Sequence, residues 1–185
     1  MPDINPTELV SGRLLLAISD PTTGFNARWA EIIATRPELP AITIDWTPAS
    51  TNYIRHALDP SEWNLSVFPR EPMGLCQYTT DCVTKPLGER SLFSSFHGDV
   101  RAHLDFYLTL RGGVRDFEND TEIYKQAVEN AVLQTIHDKT LTWWTQSDPV
   151  SYSGQYSSAP ELTIQVDDGY AQYVPFQFVF EVHIQ

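Results

Sequence analysis

Apolar residues occupy every second position from Val100 to Leu110: Val100, Ala102, Leu104, Phe106, Leu108 and Leu110. Arg101, His103, Asp105, Tyr107, Thr109 and Arg111 fill the positions between. A period of two places the apolar set on one side of an extended chain, so Asp99–Arg111 predicts a long, half-buried strand. Gly112-Gly113 predicts a turn. Tyr124, Ala127/Val128, Ala131/Val132 and Thr135/Ile136 then recur at helical spacing and predict a long amphipathic helix over 120–137.

The N-terminal region predicts two helices. Asn5-Pro6 supplies a cap and a first-turn proline, Leu9, Val10, Leu14, Ala17 and Ile18 form a stripe, and Asp20-Pro21 ends the helix. Gly24 opens a second helix with Phe25, Trp29, Ile32 and Ile33 on one face, and Arg36-Pro37 closes it. Ile42, Ile44 and Trp46 alternate as a strand. Between 47 and 91 prolines and glycines are frequent and the periodicity fades. Apart from a short strand at Leu65, Val67 and Pro69, that stretch predicts long loops, which in a compact domain are usually functional or ordered by a partner.

The C-terminal third reads as β throughout. Val150, Tyr152, Gly154 and Tyr156 alternate, as do Leu162, Ile164 and Val166. Asp168-Gly169 predicts a tight turn, and Phe176, Phe178, Phe180, Val182 and Ile184 form the last strand. No repeat or linker divides the 185 residues. The expectation is one α+β domain over 1–185, with a mostly antiparallel sheet, the long helix packed on one face, and helices at the N-terminus.

Charge changes the picture of partners. Lys and Arg number 12 against 24 Asp and Glu, a formal net charge of −12. That balance opposes adhesion to nucleic-acid phosphates and suits a surface past which DNA moves without binding. Acidity is also common in soluble proteins at large. Two cysteines, Cys76 and Cys82, are too few for a disulfide framework, and a reduced pair is favoured over a bridge. The first residues do not read as a secretory signal and no stretch reaches the length of a membrane span, so synthesis in a cytoplasm without membrane association is expected.

Candidate chemistry is sparse. Ser95, His97 and Asp99 are two apart on extended chain, where they share a face without directing a base at a nucleophile, and no Gly-x-Ser-x-Gly elbow occurs. Cys76, Cys82, His97 and His103 do not have zinc-knuckle spacing, and His103 is expected on a solvated face. Asp167-Asp168-Gly169 fits a hairpin better than a cation loop. Glu118, Asp120 and Glu122 precede a helix and fit capping. Trp143-Trp144, Tyr152, Tyr156, Tyr170 and Tyr173 suit core packing and subunit contacts as well as a stacking platform. No catalytic, metal or cofactor residue is assigned, and the chain is not expected to be an enzyme.

The element order resembles that of the tail-terminator and neck proteins of long-tailed bacteriophages. The resemblance rests on Asp99–Arg111, the helix Asp120–His137, the closing strand Tyr173–Gln185 and the second helix, Gly24-Phe25-Asn26-Ala27-Arg28-Trp29-Ala30-Glu31-Ile32-Ile33. It is a likeness of element order without an invariant motif. It implies a structural virion protein of the neck, assembled in the host cytoplasm. Members form rings, typically hexameric, that cap the completed tail tube and face the head-side connector while DNA passes through unbound. The implied partners are copies of itself, the tail tube protein and the connector. Rings arise from heterologous contacts that close. Leu75, Tyr78, Leu92, Phe93 and Phe96 are the candidate assembly contacts, with anchoring into the core as their other reading. A stopper, baseplate or tube role is the alternative within virions. A small hydrolase or ligand-binding domain is the alternative from another class.

Overall fold

The computed structural model describes residues 5–55, 73–84, 96–110, 117–142, 149–158, 162–166 and 169–184. Helix α1 (Pro6–Ile18) starts where the Asn5 side chain accepts from the Thr7 backbone N–H at 3.1 Å, with proline at the first helical position. The Ser19 N–H bonds to the Leu15 carbonyl at 2.9 Å and closes the helix. The Asp20 carboxylate then accepts from the N–H groups of Thr22 and Thr23, each at 2.9 Å, and folds the chain into a turn. A Cβ at Gly24 would collide with the backbone of Ile18 and Asp20, so only glycine fits before α2 (Phe25–Thr35).

Residues 42–46 lie outside any strand, which corrects the expectation from their alternation. Their backbone is satisfied by side chains instead. Asn26 donates to the Ile44 carbonyl and accepts from the Ile44 N–H, both at 2.9 Å. Asn52 does the same for Thr43 and Asp45, at 2.9 and 3.0 Å. Two asparagines thus occupy the hydrogen-bonding positions a neighbouring strand would fill.

The sheet contains β1 (Tyr53–Arg55), β2 (Met73–Thr84), β3 (Phe96–Leu110), β4 (Val150–Ser158), β5 (Leu162–Val166) and β6 (Gly169–Ile184). Its order is β1-β2-β3-β6-β4, with β5 paired to β6. Every pairing is antiparallel except β1 with β2. The class is therefore mixed α+β with a mostly antiparallel six-stranded sheet. Helix α3 (Phe117–Thr142) follows β3 in the chain. Among the described residues, no helix is long and apolar enough to cross a membrane.

Strand β2 is the main departure from expectation, because Met73–Thr84 falls in the stretch read as loops. Met73 through Tyr78 are all buried, so consecutive residues point to two covered faces and the period-two signal disappears. Polar Gln77, on the core side, weakens it further. A register shift between Thr80 and Cys82 breaks the alternation again. The strand expected at 65–69 lies outside the described residues.

One hydrophobic cluster joins the helices to one face of the sheet. Val100, Ala102, Leu104 and Phe106 of β3 lie beside Val174, Phe176, Phe178, Phe180 and Val182 of β6. Phe25 reaches Phe106 with ring centroids 5.0 Å apart. Helix α3 buries Ala127, Val128, Ala131, Val132, Thr135 and Ile136 and exposes Glu122, Gln126, Asn130, Gln134 and His137. A polar knot ties α1 to the sheet. The Gln77 amide donates to the Ser11 carbonyl at 2.7 Å and accepts from the Tyr53 hydroxyl at 2.8 Å. All three residues are buried, so each hydrogen bond replaces a desolvation penalty of about 1–3 kcal/mol. Burial pushes the Tyr53 phenol well above its ordinary pKa, against the opposing pull of Arg55.

Candidate functional site

The sheet face opposite the core carries the chemistry. Antiparallel pairing of β3 with β6 sets His97 beside His183, Asp99 beside Glu181, Arg101 beside Val179, His103 beside Gln177 and Asp105 beside Pro175. On the other side of β3, Tyr78 lies beside His103 and Cys76 beside Asp105. Directly opposed residues share a face, so residues from three strands meet there.

This face has two unlike halves. Around Asp105 it is closed: Asp105 is fully buried, and Cys76 and Tyr107 are buried with it. Burial pushes the Tyr107 phenol far up, and Asp105, Cys76 and Tyr78 add to the rise. His103 is half-buried, with its ring stacked on Tyr78 at 4.4 Å and 5° and its Nε2 2.8 Å from the Thr80 hydroxyl. The expectation of a solvated His103 is corrected by that stacking.

The other half is open. His97 Nε2 lies 2.9 Å from Glu181 Oε1, and His183 Nε2 lies 3.7 Å from the same oxygen. The two imidazoles stack with centroids 4.0 Å apart and planes 21° from parallel. Side-chain exposure is 22% for His97, 34% for Glu181 and 53% for His183. An ionised carboxylate only accepts, so the His97 N–H donates to Glu181. The backbone N–H of His183 donates to the Pro149 carbonyl at 2.7 Å and fixes the end of β6 beside the start of β4.

The sequence-level candidates fall apart in space. Leu75 is 2% exposed on the core side and Tyr78 is 6% exposed against His103. Both are packed within the chain itself, which corrects their assignment as presented assembly contacts in favour of anchoring. Leu92 and Phe93 lie outside the described residues. Phe96 opens β3, with its backbone paired to Ile184; its side chain is outside the described set. Ser95 is also outside it. His97 turns to Glu181 of the neighbouring strand. Cys76 pairs at Asp105, eight residues along β3 from His97, about 26 Å at strand rise, so these two cannot share a metal. Glu118 and Asp120 fall in the first turn of α3, where acids favour the helix dipole. Trp143, Trp144, Asp167 and Asp168 lie outside the described residues.

Glu181 and His183 have no place among the sequence-level candidates. Their relation to His97 depends on strand register across 84 residues of sequence. The one local signal is the pair of ionisable residues at alternate positions, Glu181 and His183, at the end of a strand whose stretch Phe178–Phe180 is wholly apolar.

The sheet's edges are the other exposed features. Strand β4 ends the order on one side and the short β1 on the other. Ser153, Gln155, Tyr156 and Ser157 of β4 are exposed. The Tyr156 hydroxyl donates to Glu129 of α3 at 2.9 Å, and that bond raises its phenol pKa. Among the described residues, Leu16, Ile54 and Tyr156 are the exposed large apolar side chains.

No family model and no curated protein matches the chain.

Proposed function

We propose that this chain is a structural subunit that assembles into a closed ring, of the tail-terminator type found in the necks of long-tailed bacteriophages. The observation that carries the reading is the β3–β6 spine. It is paired without interruption from Phe96↔Ile184 to Leu110↔Tyr170 and flanked by an outer strand, β4, with a polar, exposed surface. A rigid spine ending in an edge strand is a geometry to which a neighbouring chain adds main-chain hydrogen bonds. Ring closure needs one surface that meets a different surface on the next copy, and β4 and the β1 side supply two unlike edges. In this reading α3 is the amphipathic helix that covers the core face, and the two N-terminal helices extend that cover. A net charge of −12 suits a lumen through which DNA moves without adhering.

The role is structural, without covalent chemistry. The partners are further copies of the chain, in a ring whose size the angle of closure sets, with a tail tube on one side and a head-side connector on the other. The test is electron microscopy of the purified protein alone and mixed with tail tubes from the same source. Rings, or one added layer at a single tube end, are the expected result. Long tubes of this protein alone would identify a tube subunit. A monomer that ignores tubes would favour the ligand-binding or enzymatic class.

A further inference from the structure

We propose that His97, Glu181 and His183 form a binding site for a first-row divalent transition metal of the zinc type. The site is independent of the ring reading. Its three donors are two imidazole nitrogens and one carboxylate oxygen, a set that suits zinc and its neighbours and disfavours calcium and magnesium, which take oxygen.

The geometry carries the assignment. Ligands about 2.0–2.2 Å from a tetrahedral ion stand about 3.3 Å from one another. The separations of Glu181 Oε1 from His97 Nε2 and His183 Nε2, 2.9 and 3.7 Å, bracket that figure. All three donors lie within 4.8 Å of one another.

The backbone itself is held. His97 and His183 are direct cross-strand partners, Glu181 is two residues from His183 on the same face, and the two strands are paired on through Leu110. A site carried on paired strands keeps its donors placed before the ion arrives. The His97 N–H donates to Glu181 and holds the carboxylate in position. A metal takes the place of that hydrogen, and the neutral ring then carries its proton on Nδ1. Partial exposure leaves the remaining coordination positions to water, so the site is open and the ion exchangeable. The bound ion links β3 to β6 where β6 meets the start of β4.

The experiment is calorimetric titration of tag-free, metal-stripped protein with zinc chloride, paired with the visible absorption of the cobalt(II) form. One ion per chain is expected. Losing a supporting residue around a metal weakens binding by about 10–100-fold, so His97→Ala, Glu181→Gln and His183→Ala should each weaken it by more than about tenfold and reduce the cobalt absorption. His137→Ala, on exposed helix surface, should leave both unchanged. Circular dichroism of each variant separates loss of ligand from loss of fold. Absence of saturable zinc binding by the intact chain would overturn the proposal. So would unchanged affinity in folded His97→Ala and His183→Ala, or calcium or magnesium competing on equal terms.

Discussion

The two faces of the sheet are built from the same strands and obey different rules. On the core face, the described side chains from Val100 to Phe106 of β3 and from Val174 to Val182 of β6 are aliphatic or aromatic and buried, and the helices cover them. On the opposite face the same strands carry His97, Asp99, Arg101, His103, Asp105, Glu181 and His183. Half of that polar face is nevertheless closed. The contrast separates two sources of order. The core face is held by non-directional burial, which tolerates shape changes only at a cost in packing. The polar face is held by pairwise geometry, so its energetics depend on which partner each group meets.

The largest expected effect comes from the core face. Phe178→Ala removes a fully buried ring between Phe176 and Phe180, and chemical denaturation should show a loss of about 3–5 kcal/mol. A loss under about 1 kcal/mol would mean the site collapses freely and the core is looser than its burial indicates. Next comes the polar knot. Gln77→Leu keeps the apolar volume but strands the Tyr53 hydroxyl and removes the second hydrogen bond of the Ser11 carbonyl, with an expected cost of about 1–3 kcal/mol. A double variant that also carries Tyr53→Phe should recover part of that cost.

The closed half of the polar face predicts an alkaline weakness. The Tyr107 phenol is raised in the folded chain by burial first, then by Asp105. The unfolded chain therefore ionises first as pH rises. The stability tied to the neutral phenol is fully present below the ordinary tyrosine pKa of about 10 and declines above it, with a slope of at most about 1.4 kcal/mol per pH unit for one group. Denaturation measured across that range should steepen in the native chain and flatten in Tyr107→Phe. The smallest effect belongs to the open half. In metal-free buffer His183→Ala should change stability by about 0.5 kcal/mol or less, as exposed positions usually do. A large loss there would erase the distinction between the two halves.

The sequence was legible where one face of an element is buried and the other is not. The alternation Val100–Leu110 and Phe176–Val182 marks the two central strands because each alternates between core and polar face. Asn5-Pro6 and Asp20 mark the ends of α1 because capping chemistry is local. Strand β2 was not legible, since Met73–Tyr78 are buried on both sides and Gln77 interrupts the apolar set. Residues 42–46 show the converse. Their alternation resembles a strand, but Asn26 and Asn52 take the positions of strand partners, a tertiary arrangement without a local signature. The His97–Glu181–His183 cluster was hidden for the same reason, because register between distant strands is not written in local spacing.

In the proposed ring, β4 is the edge that another copy extends. The most direct measurement is the solution mass of the wild type beside that of Ser153→Lys/Ser157→Lys, which places charge on the exposed edge to block strand addition. A ring closed through β4 predicts a single closed oligomer for the wild type and a folded monomer for the variant. A wild type that stays monomeric at high concentration, or a variant that keeps the ring mass, would contradict it.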